Sequence, residues 1–457
     1  MQYLTIWDLI LTPIYLIVLI AIARRQREKL YPEGHPLRQY FLPGLYVKLG
    51  GAIFIGLIYQ FYYGGGDTFH FFYHSKVINS SLDDSLSTWA KLLTRQPVEG
   101  NPEIYPFVSV MEWYKDPSSY TVAAFGALFG LLNGTSYIPI ALLFAYFSFT
   151  GVWAMYRTFV NIYPTLHKYL AIAFLFIPST FVWGSGVFKD TICMFGLGWM
   201  TYAVFRIFIN RDFSIRNILM LVLSFYLIAV VKVYILLAFL PALSLWLLLT
   251  YSHKIPSAAA RWVVSLLFIG IAFVGFLFFS QIFAKELGRY SLEHVANTAA
   301  ATRGWISYVS ETQEGSSYDL GEFEPTMAGM LSKFPQAVVV TLFRPFPWEA
   351  AKVIIALSAL EALVFLYFTL RVVVTKSKNL KAVFKDPNLI FFLVFSLIFA
   401  FAVGISSYNF GTLSRYKIPC LPFYSAFLVI LWKYNESNIS QQTHLSQIQE
   451  KEVAELA

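Results

Sequence analysis

"RNILMLVLSFYLIAVVKVYILLAFLPALSLWLLLTY", residues 216–251, carries one charged side chain after its opening arginine, Lys232. As one straight helix it would run about 50 Å, well beyond the roughly 30 Å of hydrocarbon in a bilayer. It is therefore read as two spans, 216–231 and 233–250, that meet within "VVKVYILL" (230–237) with almost no loop. Whether the chain crosses here once or twice sets the side of every later loop, so the topology turns on this stretch.

The rest of the composition is of the same kind. The 457 residues are 57% hydrophobic, 18% aromatic and only 13% charged, with a mean hydropathy of +0.60. Soluble domains carry about 25% charged residues. The apolar runs are continuous, unlike the short alternating segments of a membrane β-barrel. The expected class is all-α, a polytopic transmembrane helical bundle of about eleven spans, within a range of about ten to thirteen. The spans are placed at 4–23, 46–63, 136–156, 166–183, 190–208, 216–231, 233–250, 262–281, 351–371, 388–407 and 417–433. The first has no small-residue cleavage site and is expected to be a retained helix. Cys193 and Cys420, the only cysteines, lie in or beside apolar runs and suit packing better than a disulfide framework.

Lysine and arginine set the orientation. Basic residues follow the first span (Arg24, Arg25, Arg27, Lys29), the third (Arg157, Lys168), the fifth (Arg206, Arg211, Arg216), the seventh (Lys254, Arg261) and the ninth (Arg371, Lys376, Lys378, Lys381, Lys385). With about eleven spans all of these fall on one side, the cytoplasm by the positive-inside rule. The N-terminus is then outside, residues 1–433 form one integral membrane domain, and 434–457 is a polar cytoplasmic tail. The net charge of +8 sits between spans and gives no nucleic-acid footprint; the lipid bilayer is the expected surrounding. Two long external loops follow, 64–135 and 282–350. Within the first, "SLDDSLSTWAKLL" (81–93) has amphipathic spacing, and 121–133 is apolar but too short to span, so both are expected to be interfacial or re-entrant.

Ionisable residues in or beside a bilayer are functional candidates, and on this topology they share the outer face. Asp67 and His70 follow the second span in "YQFYYGGGDTFHFFYHSKVI" (59–78). Lys189 and Asp190, in "WGSGVFKD" (183–190), open the fifth span as a local ion pair. Lys232 lies deep in apolar sequence and requires an anion or a water-filled pocket. Arg344 and Glu349 stand in the proline-bracketed "FRPFPWE" (343–349), which cannot be regular helix. Arg415 and Lys417 precede the last span in "SRYKIPCLPF" (414–423), where Arg415 suits either snorkelling or phosphate binding. The glycines 64–66 suit a turn, and Asp67 suits the N-cap of a helix starting at Thr68. His70 and His74, four apart, share a helix face. With Asp67 they are the set that would take a divalent ion as cofactor.

One carboxylate facing several fixed cations suits phosphate chemistry. Arginine and lysine neutralise a phosphate leaving group, and the carboxylate can take a proton from an acceptor hydroxyl. A phosphorylated head on an apolar tail suits a cavity at the bilayer edge. The arrangement resembles the GT-C superfamily of polytopic glycosyltransferases, which use lipid-phosphate sugars and place an acid after an early span, in the first long external loop. "GGGDTFHFF" (64–72) resembles that feature, and "WGSGVFKD" and "SRYKIPCLPF" resemble segments of bacterial relatives and of polysaccharide-assembly membrane proteins. The resemblance implies Asp67 as general base, with a single acid where many members carry a pair. The phosphate ligands are then Lys189, Lys232, Arg344 and Arg415, with His70, Asp190 and Glu349 in support. It also implies a polyprenyl-phosphate-linked sugar donor, and other cell-envelope assembly proteins as potential partners. The alternatives are a polymerase or ligase using lipid-pyrophosphate-linked glycans, a transporter or flippase, and a structural subunit of an export complex.

Overall fold

The computed structural model describes residues 3–252, 317–324, 326–383 and 385–434, with 257 and 263 as single positions. Every regular element among them is helical, and an isolated bridge pairs Ser317 with Asn409. In chain order the helices are α1 (Ile6–Leu30), α2 (Arg38–Phe61), α3 (Asp67–Ser80), α4 (Leu86–Leu93), α5 (Tyr105–Val108), α6 (Pro117–Gly130), α7 (Tyr137–Ile162), α8 (His167–Leu175), α9 (Pro178–Trp183), α10 (Lys189–Val204) and α11 (Ile215–Ser252). There follow α12 (Met327–Ser332), α13 (Phe334–Phe343), α14 (Val353–Thr375), α15 (Pro387–Ser407), α16 (Phe410–Tyr416) and α17 (Leu421–Trp432).

Among the described residues, 7 helices are long and apolar enough to cross a membrane: α1, α2, α7, α10 with its π-helical end, α11, α14 and α15. The expected spans 216–231 and 233–250 form one helical trace, α11, broken at Lys232, whose φ of −150° and ψ of 74° are not helical. The expected span 166–183 is divided at Phe176 and Ile177 into α8 and α9, and 417–433 contains only the 12-residue α17. The expected span 262–281 lies outside the described residues except for position 263, as does nearly all of the tail 434–457. The apolar faces of α1 (Ile10, Ile14, Ile17, Val18) and α14 (Leu360, Val364, Tyr367) are exposed. Helix faces of this kind suit hydrocarbon rather than water, so the chain is membrane-embedded.

The described residues fall into two compact units, the first comprising 1–158 and 180–232, the second 159–179 and 233–457. In the first unit small residues let backbones approach closely, as is usual between membrane helices. A Cβ on Gly198 of α10 would lie 1.9 Å from the carbonyl oxygen of Gly151 in α7, and one on Gly51 of α2 would lie 2.4 Å from Phe181 O. Replacing Gly198 by Ala is expected to force these helices apart and cost about 1–3 kcal/mol. An unchanged unfolding midpoint in detergent would show the contact to be slack.

The stretch 64–135, expected to be an external loop, builds a core of its own. Val77 and Ile78 of α3, Leu92 of α4, Met111, and Tyr120, Ala123 and Ala127 of α6 bury one another. Polar side chains tie α3 to α6: Ser75 Oγ donates to Ala123 O at 2.9 Å, and Asn79 Nδ2 to Ala127 O at 2.8 Å. The apolar character of 121–133 thus has a protein partner in α3.

In the second unit α13 packs on α15, where Thr341 Oγ1 donates to Ala400 O at 2.7 Å. Phe391, Phe392, Phe395 and Phe423 form an aromatic centre with Phe159 and Phe239. Asp386 caps α15 and accepts the Tyr163 hydroxyl at 2.7 Å.

Candidate functional site

Within the first unit, two of the motifs singled out in the sequence meet. The glycines 64–66 all have positive φ (70°, 151° and 136°), which L side chains adopt only with strain. They turn the chain out of α2. Gly66 is the N-cap of α3 and Asp67 its first residue, so Asp67 stands one place inside the cap expected for it. Next to it, the Thr68 hydroxyl lies 2.8 Å from the Tyr137 hydroxyl and donates to Val187 O at 3.2 Å. Val187 belongs to "WGSGVFKD", two residues before Lys189. The "GGGDTF" turn and the "SGVFKD" turn are therefore bolted together, with Tyr59 against Phe188 beside them (ring centroids 5.5 Å apart).

The second turn is held from several directions. Lys48, buried in α2, donates to Gly184 O at 2.7 Å, Ser148 Oγ at 3.1 Å and Thr180 O at 3.3 Å. These acceptors match its donors one for one. Thr191 Oγ1 donates back to Gly186 O at 2.6 Å.

Lys189 and Asp190, expected as a local pair, each take a distant partner. Lys189 Nζ lies 3.3 Å from Asp116 Oδ2, and Lys232 Nζ lies 2.5 Å from Asp190 Oδ1. Adjacent residues at a helix start point to different sides, so each found a partner across the fold. The Asp190–Lys232 pair is closed to solvent, with side chains 0% and 7% exposed, whereas Asp116 and Lys189 are 45% and 22% exposed. The anion that Lys232 requires is thus Asp190. At the break in α11, Ser118 Oγ donates to Val231 O at 2.6 Å and satisfies a carbonyl beside it.

Asp116 also caps α6, accepting from Ser118 N and Ser119 N at 3.1 Å each and from Ser119 Oγ at 2.5 Å. Burial pushes its carboxyl up, but the Ser119 hydroxyl and the Lys189 ammonium outweigh burial and leave it below the usual carboxylate range. His70 and His74 do share a face of α3, and both rings meet Trp113, with centroids 5.1 and 5.8 Å away. Burial, with His70 nearby, pushes His74 down to about 4; it is neutral at physiological pH. Among the described residues no group of three or more His, Cys, Asp or Glu side chains is arranged to hold a metal ion, Asp67, His70 and His74 included.

Arg344, Glu349 and Arg415 belong to the second unit. Arg344 ends α13 in extended conformation. Its guanidinium is gripped by both carboxylate oxygens of Glu349, with Nε at 3.0 and 3.1 Å, and lies over the ring of Phe410. Lys417, fully buried, donates to Arg344 O at 3.4 Å. Arg415 is half-buried in the last turn of α16. Glu349, expected as support, is the direct partner of Arg344.

Sequence reading passed over Asp116, Lys48, Trp113 and Glu361. Asp116 had a signal in "DPSS" (116–119), a helix-start pattern. Lys48 and Glu361 are lone charges inside apolar runs and fall under the same rule that singled out Lys232. Compared with protein-family models, with curated proteins and with solved structures, the chain matches none.

Proposed function

We propose that the chain is a membrane glycosyltransferase that moves a sugar from a polyprenyl-phosphate-linked donor to an acceptor hydroxyl at the outer face of a bacterial cytoplasmic membrane. The observation that carries this reading is the Thr68–Val187 hydrogen bond, which fixes the Asp67 turn to the Lys189 turn. It sets a half-buried carboxylate and a half-buried ammonium on adjoining segments of one unit. Asp67 takes the proton of the acceptor hydroxyl as its oxygen attacks the anomeric carbon. The bond to the prenyl phosphate breaks, and the leaving phosphate carries the electron pair away. Lys189 is the cation that meets it; its 3.3 Å contact with the half-exposed Asp116 is one that an anionic ligand can share. Lys232 acts by holding Asp190 and so the start of α10. Arg344 and Arg415 remain phosphate ligands in the second unit, Arg344 on condition that phosphate displaces Glu349. About eleven spans, with the N-terminus outside and the tail 434–457 in the cytoplasm, put Asp67 and Lys189 at the outer surface.

A second reading, transport, is favoured by one feature: the break of α11 at a buried charge. Transporters bind substrates at discontinuous helices. A polymerase or ligase using pyrophosphate-linked glycans would need the same groups as the transferase. The deciding experiment supplies the purified protein in liposomes with one sugar linked to prenyl monophosphate, to prenyl pyrophosphate or to a nucleotide. Release of prenyl phosphate coupled to product from the first donor alone is expected. Turnover of the pyrophosphate donor alone would replace this reading by the ligase, and sugar uptake without bond cleavage would replace it by the transporter.

A further inference from the structure

In the second unit a groove of about 750 Å³ lies between α8, α14 and α17. Leu357 and Val372 both line it, so it follows α14 for about 22 Å at 1.5 Å per residue. One bilayer leaflet offers about 15 Å of hydrocarbon, half the thickness of the core. The groove is thus long enough to lodge a chain that fills one leaflet. Its wall is almost wholly apolar and includes Leu360 and Val364, which belong to the exposed apolar face of α14.

One end of the groove differs from the rest. Tyr169, Trp432 and Lys433 line it there, and three cations gather on the two rings. Arg371 Cζ lies 4.7 Å and Lys376 Nζ 5.2 Å from the centroid of the Trp432 ring, and Lys433 Nζ lies 5.2 Å from that of Tyr169. Arg371 also donates to the Tyr367 hydroxyl at 3.1 Å. Among the described residues no carboxylate forms an ion pair with Arg371 or Lys376. Contact with a ring steadies a cation but leaves its charge in place. The acid in the lining, Glu361, stands about 15 Å back along α14 from Arg371 and interacts with Lys417.

We infer that this groove holds an anionic phospholipid, its phosphate at Arg371, Lys376 and Lys433 and an acyl chain along α14 and α17. Charge selects the headgroup. A lipid of net negative charge neutralises the cluster, whereas a zwitterionic one brings a cation of its own to it. The guanidinium fork of Arg371 suits two phosphate oxygens, and Trp432 and Tyr169 are of the kind that settles at headgroup level. The groove selects a lipid over a soluble anion, because its apolar wall adjoins the cations. On the proposed topology this end is cytoplasmic, and that leaflet carries anionic lipid. The inference does not rest on the transferase reading; it concerns a different unit and requires no sugar.

The test offers the purified full chain in detergent an equal mixture of phosphatidylglycerol and phosphatidylcholine with the same acyl chains. Retained lipids are read by native mass spectrometry. The anionic lipid is expected to be retained about tenfold or more over the zwitterionic one. The triple variant Arg371→Gln, Lys376→Gln, Lys433→Gln should lower that preference by a similar factor. Arg24→Gln with Arg25→Gln, which removes two exposed cations of α1, should leave it unchanged. A diazirine in the acyl chain of the phosphatidylglycerol should label 353–375 and 421–432. Equal retention of the two lipids would reduce the site to a groove for any chain and overturn the inference. A preference that falls in the Arg24, Arg25 variant and survives in the triple variant would place the lipid elsewhere and overturn it too. Competition by water-soluble dihexanoyl phosphatidylglycerol equal to that of the long-chain lipid would replace it by a site for a soluble anion. Since the lipid series needs only the natural protein, the inference stays open to refutation even if the triple variant fails to fold.

Discussion

Lys232→Met is expected to destabilise the protein by about 3–5 kcal/mol, because it leaves Asp190 as an uncompensated charge in a site closed to water. Asp190→Asn should do comparable damage by stranding the ammonium. The double variant Asp190→Leu with Lys232→Met should recover most of the loss, since an ion pair replaced by apolar side chains of similar size is often neutral or stabilising. The break in α11 makes the pair more than a local contact. Lys232 has a non-helical backbone conformation within 38 residues of helix, and Ser118 attends the Val231 carbonyl beside it. The ammonium thus anchors a kink to the first turn of α10. Unfolding midpoints of the four proteins in one detergent form a double-mutant cycle whose coupling energy measures the pair. A single variant as stable as the natural chain would show that water or another group reaches Asp190. The double variant also separates two functions. A transferase that uses the pair only as a brace keeps its turnover once the fold is restored, whereas a transporter that works through the pair does not.

The membrane class could be read from hydropathy alone because it needs only run length, and hydrocarbon thickness fixes that length. The partners of the buried charges could not. Lys189 and Asp190 are neighbours in sequence, and a one-dimensional reading pairs them. In three dimensions consecutive helical residues point about 100° apart, so Asp116, 73 residues away, and Lys232, 42 residues away, take them instead. The break at Lys232 was visible as a charge amid apolar residues, but a helix bent at a point and two helices joined without a loop have the same hydropathy. The stretch 121–133 shows a different limit. Its apolar residues would suit a membrane surface or a protein surface equally, and it is α3, tied on by Ser75 and Asn79, that they cover. The glycine turn and the Asp67 it presents were the part of the site written most plainly in sequence. Three successive glycines have few uses besides backbone freedom, and a carboxylate after them has little to bury it.

That carboxylate carries the largest functional expectation. Asp67→Asn should reduce sugar transfer by about 10²–10⁴-fold, the usual contribution of a positioned general base, with little change in fold. The amide matches the carboxylate in size, the helix retains Gly66 as its N-cap, and the Thr68 bonds to Tyr137 and Val187 remain. The structural penalty is limited to the loss of a negative charge from the first turn of α3, about 0.3–1 kcal/mol. Activity and stability therefore part company, which a merely structural aspartate could not achieve. Donor affinity discriminates further. A base acts on the acceptor, so Asp67→Asn should lower kcat while leaving the KM for the prenyl-phosphate donor nearly unchanged. Lys189→Met should raise that KM, because the ammonium meets phosphate in the ground state as well as in the transition state. Should Asp67→Asn retain full turnover in a folded, inserted protein, the proton must leave by another route and the role assigned to the glycine turn is lost. Should it instead raise donor KM alone, Asp67 orients the donor and the base lies elsewhere.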